Sequence, residues 1–263
     1  MVFLFIPLSN TICIAFLHGM ISVQRVSKNY SSKQVLDQIT LEIKSAKVVS
    51  LIGPSGCGKS TLLRIIMALI KQDTGNVFID DEEITSQNSL EIRRKIGYVI
   101  QKGGLFPHLT ARENCAITAK FLGWDSKRID SRIQELADLV KIDHEIIDRL
   151  PSKLSGGQQQ RISLIRALML DPNILLLDEP LGSIDPMVRY ELQTDLKEIF
   201  TSLGKTVLLV THDLNEAAYL GDDIVLMNKG KIIQRGTIDN LIEHPADSFV
   251  QKFVNSQRSI RVG

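Results

Sequence analysis

The chain has 263 residues, with 31 Lys and Arg against 30 Asp and Glu and a net charge of +1. That length carries one large α/β domain with a smaller inserted subdomain and needs no disulfide or metal to supply a core, and the charge balance excludes the global basic field of a nucleic-acid-binding chain. The three cysteines, Cys13, Cys57 and Cys115, are too few and too widely spaced for a disulfide framework and fit a reducing compartment, the cytosol.

Residues 2–17 are apolar apart from Pro7, Ser9, Asn10 and Thr11 and carry no Lys or Arg. A spanning helix wants about 20 apolar residues, Pro7 would interrupt one, and a secretory signal wants a positive start and a cleavage site. Residues 1–19 are therefore expected to be an apolar extension ahead of a true start at Met20, with a membrane anchor as the alternative; the domain proper is 20–263. From Ile21, ISVQRVSKNY and VLDQITLEI, separated by a turn at 31–33, read as a small antiparallel sheet. KVVSLI (47–52) is the near-continuous apolar run of a buried parallel strand and leads through GPSGCGKS into the apolar helix TLLRIIMALI. VFIDDEEI (77–84) reads as a further antiparallel strand and turn, and KIGYVIQ (95–101) as a strand with Gln101 at its carboxyl end.

The pattern then turns helical. ARENCAITAKFLG and SRIQELADLVKI place apolar residues three and four apart, so a helical subdomain over about 102–154 is inserted in the α/β core, with Pro151 marking the return. GQQQRISLIRALML reads as a helix, NILLLD as a strand, MVRYELQTDLKEIF as a helix, and TVLLVTH and IVLMNKG as strands. Strands alternating with helices imply a parallel sheet.

Three segments carry the chemistry. In GPSGCGKST the residues Gly53, Pro54, Ser55, Gly56, Cys57, Gly58, Lys59, Ser60 and Thr61 make a phosphate-binding loop: glycines let successive N–H groups turn inward, Lys59 reaches the β and γ phosphates of ATP, and Ser60 is placed to hold Mg²⁺. Cys57 serves close backbone approach, and its neighbours are expected to leave the thiol reactive enough for a maleimide to block turnover. In ILLLDEP (174–180) an apolar strand stops on two acids: Asp178 for the metal through its water shell, and Glu179 to orient or deprotonate the attacking water. In LSGGQ (154–158), Ser155 is a good N-cap, and Gly156 and Gly157 leave the first turn of the next helix bare, a second phosphate-binding surface with Gln158 beside it.

With this third segment the chain, over 21–255, resembles the ATPase subunits of ABC transporters. The resemblance implies a P-loop NTPase core of the RecA-like type with an N-terminal antiparallel β subdomain and an inserted helical one. It also implies a head-to-tail dimer in which the signature of one subunit caps the ATP on the phosphate loop of the other. Tyr30 matches the aromatic that stacks on adenine, with packing in the small sheet as the alternative. Gln101 matches the glutamine that senses Mg²⁺ and the attacking water, His212 the histidine that contacts the γ-phosphate and Glu179, and Asp185 in GSID the aspartate of the loop that crosses the dimer. Ser183 departs from the small apolar residue usual in that loop.

KIGYVIQKGGLFPHLTARENC (95–115) and GTIDNLIEHPADSFVQKFV (236–254) look most like ATPases of importers for osmoprotectants such as glycine betaine, choline or carnitine. The resemblance implies transmembrane permease subunits, a substrate-binding protein, a second ATPase subunit, no nucleic acid, and a peripheral place on the cytoplasmic face of the plasma membrane. Segment 102–108 matches the surface that receives the permease, with Phe106 packing there or in the helical core. The alternatives are another cargo, such as phospholipid, amino acid or an efflux substrate, and a soluble non-transport protein of the same family.

Overall fold

The computed structural model of the protein describes residues 19–31, 33–101, 104–182 and 185–258. The apolar stretch 1–18, with Cys13, and Ser183 of the GSID loop lie outside them. Strand β1 (Ile21–Tyr30) pairs antiparallel with β2 (Lys33–Ile43). After β3 (Val48–Ile52) and helix α1 (Lys59–Ile66) come β4 (Thr74–Ile79) and β5 (Glu82–Glu83), and β4 adds antiparallel to the free side of β1. The first sheet thus has the order β2-β1-β4-β5, and Arg25 and Gln38 take left-handed backbone near its register shifts.

The chain continues with α2 (Ser89–Arg94), β6 (Ile96–Val99), α3 (Ala111–Phe121), α4 (Ser126–Leu139), α5 (Gly156–Leu168), β7 (Ile174–Asp178), α6 (Pro186–Leu203), β8 (Thr206–Val210), α7 (Leu214–Leu220), β9 (Asp223–Asn228), β10 (Lys231–Gly236), α8 (Ile238–Glu243) and α9 (Ser248–Arg258). Among the described residues the second sheet runs β10-β9-β3-β8-β7-β6. Its pairs are parallel except β9 with β10, which are antiparallel. The expected parallel sheet therefore carries one antiparallel edge strand, β10, because the two-residue turn at Lys229 and Gly230, both at positive φ, folds the chain straight back.

The period-two rule sorts the central strands between two cores. On β7, Leu175 and Leu177 join a cluster with α3, α4, α5 and α6, while Ile174 and Leu176 face the opposite cluster with α1 and the antiparallel sheet; on β8, Val207 and Leu209 alternate with Leu208 and Val210 in the same way. Both faces are dry, which is why these strands read as unbroken apolar runs. The first cluster is continuous from Ala116 and Ile133 in α3 and α4 to Leu177 and Val207 in the sheet, so the inserted helices share the core of the α/β unit. A third cluster seats Leu241, Val250 and Val254 of α8 and α9 against Leu214, Ile224 and Leu226. Arg161 of α5 donates to Asp195 of α6 at 2.6 Å and also to the Val140 carbonyl, a largely buried pair that ties the α5 helix to its neighbour. No described helix is long and apolar enough to cross a membrane.

Candidate functional site

The loop at 53–58 joins β3 to α1 and depends on backbone that only glycine adopts freely. Gly53 and Gly58 have φ of 149° and 110°, and a Cβ on Gly53 would lie 2.2 Å from the Met227 carbonyl oxygen while one on Gly58 would lie 2.7 Å from Val35 O. Conformation and crowding exclude a side chain at both. The loop is held down where Gly230 N–H donates to Cys57 O at 3.0 Å. Ser55 and Gly56 stand at its exposed tip, Pro54 is half-buried, and Ser60 and Thr61 begin α1. The buried Lys59 folds its ammonium over the loop, donating to Gly53 O at 2.7 Å and Pro54 O at 3.1 Å. Cys57 is only 4% exposed, and burial pushes its thiol up in spite of Lys59. Burial thus works against the reactivity expected of Cys57, whose thiol is shielded by the fold.

Across the loop, Ser60 Oγ donates to Asp178 Oδ1 at 3.3 Å. Burial raises the Asp178 carboxyl, with the neighbouring Glu179 adding to the rise and Ser60, Arg64 and Lys59 opposing it. A buried carboxylate beside a half-buried hydroxyl is an oxygen donor set of the kind that suits Mg²⁺, a cation that keeps several of its waters. The residues present fit that ion.

Glu179 follows Asp178 in left-handed backbone, φ 48°, a conformation costly for a residue with a Cβ. Its N–H donates to Val210 O at 2.9 Å and its carbonyl accepts from Gly182 N at 3.2 Å, so the turn is pinned on both sides. The kink delivers the carboxylate to two partners from neighbouring strand ends: Gln101 Nε2 donates to Glu179 Oε2 at 2.7 Å, and His212 Nδ1 lies 3.6 Å from the same oxygen. Gln101 sits two residues beyond β6, which ends at Val99 rather than at the glutamine. Residues far apart in sequence thus meet at the carboxyl edge of the parallel sheet, where such sheets bind ligands.

Other expected residues stand apart from this cluster. Among the described residues, 155–158 share no hydrogen bond with the phosphate loop. Ser155 Oγ accepts from Gln158 N at 3.2 Å while Ser155 N donates to Gln158 Oε1 at 2.9 Å, a reciprocal cap of α5. Gly156 is exposed, but Gly157 is buried, and a Cβ there would come within 2.9 Å of Val188 Cγ1 on α6. Gly156 alone of the pair leaves the turn bare; Gly157 is small because α6 lies against it. Tyr30, the last residue of β1, is 44% exposed, with Lys28 Nζ 5.6 Å from its ring centre. Asp185 is exposed ahead of α6 and its carbonyl accepts from Arg189 N at 2.8 Å. Sequence reasoning passed over Thr211 and Glu216, both buried behind His212; a carboxylate between the core residues Leu214 and Ala217 was the available signal.

A phosphate loop between the parallel strand β3 and helix α1, with an acid pair at the end of β7, two strands away in the same sheet, defines a P-loop NTPase fold. The chain belongs to the ABC transporter family, whose model matches residues 36–182. It is 44% identical over 243 residues to the choline transport ATP-binding protein OpuBA of Bacillus subtilis, covering 92% of this chain and 64% of that protein. It is 41% identical over 248 residues to the osmoprotectant import ATP-binding protein OsmV of Salmonella typhimurium, covering 92% and 65%. The chain therefore spans a little under two thirds of the length of these relatives. A dimeric, post-hydrolysis structure of the ATP-binding cassette MJ0796 with ADP and Pi superposes with a TM-score of 0.76 at 34% identity, covering 83% of this chain and 98% of that one.

Proposed function

We propose that this chain is the ATP-hydrolysing subunit of an ABC importer, energising uptake of a small solute through a separate permease. The observation that carries this is the convergence of Gln101, Glu179 and His212 beside the Ser60–Asp178 pair at the mouth of the phosphate loop. Amides of the loop and Lys59 hold the phosphates; Tyr30, exposed at the end of β1, offers its face to the base. Ser60, Gln101 and Asp178 would hold Mg²⁺, which would supply charge neutralisation at the phosphates. Gln101 orients the Glu179 carboxylate through its 2.7 Å bond, leaving that carboxylate to align a water and accept its proton. His212, more than half exposed at the same opening, meets the γ-phosphate. Ser155, Gly156, Gly157 and Gln158 of a second copy close the site from above, and Asp185 lies at that dimer contact.

Coupling to a permease has a place to occur. A cavity of about 410 Å³ between α2, β6, α3 and α5 is lined by Leu90, Ile100, Phe106 and Phe121 with Arg93 and Arg166 at hand. Phe106 is 46% and Phe121 78% exposed, an apolar patch of the sort that marks a protein contact. Similarity to choline and osmoprotectant transport proteins supports a quaternary-amine cargo, a substrate-binding protein in the assembly, and a peripheral position on the cytoplasmic face of the membrane. A helical subdomain over about 102–154 belongs to the same reading.

Co-purification of the permease, followed by choline and betaine uptake in vesicles, tests the cargo; an efflux permease as partner would overturn the importer reading. For the chemistry, Glu179→Gln should bind ATP, dimerise and lose about 10²–10⁴-fold in turnover, and unchanged turnover would reject the role given to Glu179.

A further inference from the structure

His212 is held from behind. Thr211, the residue before it, is buried, and its hydroxyl donates to Glu216 Oε2 at 2.8 Å while accepting from Asp213 N at 3.1 Å. The hydroxyl thus closes the backbone around His212, with its direction set by the acceptor at Glu216. Asp213 caps α7, accepting from Asn215 N at 2.8 Å and Glu216 N at 3.2 Å, and Thr211 N donates to Leu51 O at 3.2 Å. Glu216 is itself nearly inaccessible, and its Oε1 finds no hydrogen-bond partner among the described residues. The charged groups facing it are Asp213 on its own turn, Arg189 from α6 and Glu179 from the end of β7. A carboxyl in such surroundings is a costly way to fill space, and its one bond among the described residues is to the residue that anchors His212.

We propose that Glu216 is a positioning residue for His212, acting through the Thr211 hydroxyl to hold the imidazole within reach of Glu179. The inference rests on the hydrolytic reading of His212. Removing the acceptor frees the hydroxyl to rotate, loosens the turn and misplaces the imidazole, lowering turnover while leaving ATP binding alone. An amide keeps the acceptor, so Glu216→Gln should behave like the native chain.

The test is steady-state MgATP hydrolysis by the full chain carrying Glu216→Ala, Glu216→Gln, His212→Ala and the Glu216→Ala/His212→Ala pair, with the His212 ring resonance followed by NMR and assigned by its loss in His212→Ala. Expected are a fall in kcat of at least about tenfold for Glu216→Ala with KM within about twofold, recovery in Glu216→Gln, and no further loss when Glu216→Ala is added to His212→Ala. The His212 resonance should shift or broaden in Glu216→Ala and stay in place in Glu216→Gln. A full additional loss in the His212→Ala background, or an unmoved His212 resonance, overturns the proposal. Should Glu216→Ala fail to fold, Thr211→Val removes the same bond from the other side and is read identically. Turnover in His212→Ala equal to that of the native chain would instead reject the hydrolytic role of His212, and the resonance still decides the link to Glu216.

Discussion

Keeping a carboxyl at position 216 has a stability cost whose size and sign follow from its surroundings. Burial pushes Glu216 from 4.5 up to about 7; the Thr211 hydroxyl opposes the rise, Asp213 adds to it, Arg189 opposes it and Glu179 adds a little. The folded chain therefore binds this proton more tightly than the unfolded chain. Below about pH 4.5 both states are protonated and there is no penalty. Between 4.5 and 7 the unfolded chain ionises first, so stability falls as pH rises, and above 7 the loss is complete. At 1.36 kcal/mol for each pH unit, the gap corresponds to about 3 kcal/mol. Glu216→Gln removes the titration. In urea unfolding it should be more stable than the native chain by about 3 kcal/mol at pH 8 and by about 1 kcal/mol at pH 5. A difference of the same size at both pH values would show that Glu216 does not titrate between the folded and unfolded states, and would refute the reasoning.

Two more outcomes follow from packing. Gly157→Ala sets a methyl 2.9 Å from Val188 Cγ1 and should cost about 1–3 kcal/mol of stability, most of it recovered in a Gly157→Ala/Val188→Ala double variant; an equal cost in both backgrounds would dismiss the contact. Cys57, buried and with its thiol pushed up, should react with a maleimide at pH 7 far more slowly in the folded chain than in urea, as read by peptide mapping, and labelling at the rate of a free thiol would contradict the burial.

The local half of the site was legible because it lies within single stretches of chain. A phosphate loop needs consecutive backbone amides, so its glycines, Lys59 and Ser60 must be adjacent in sequence, and the positive φ of Gly53 and Gly58 is the reason those positions read as they do. The apolar runs of β7 and β8 were equally plain, since strands buried on both faces leave no polar residue to interrupt them. The antiparallel edge strand β10 was missed: Ile232 and Ile233 pack against different core clusters but are only half-buried, and a short half-exposed segment carries little pattern. Gln101, Glu179 and His212 could be assigned by resemblance, but their meeting at 2.7 and 3.6 Å is a property of strand order, which puts β6, β7 and β8 side by side although long helical segments separate them in the chain. Gly157 shows the same limit: next to Gly156 in sequence, it faces α6 rather than solvent and is small for packing under that helix. Glu216 lay furthest from view. Composition fixed that a carboxyl stands there, and only the tertiary fold decided that it is dry, bonded to Thr211 and raised toward neutrality, because burial and the identity of a partner depend on which elements are packed around a residue.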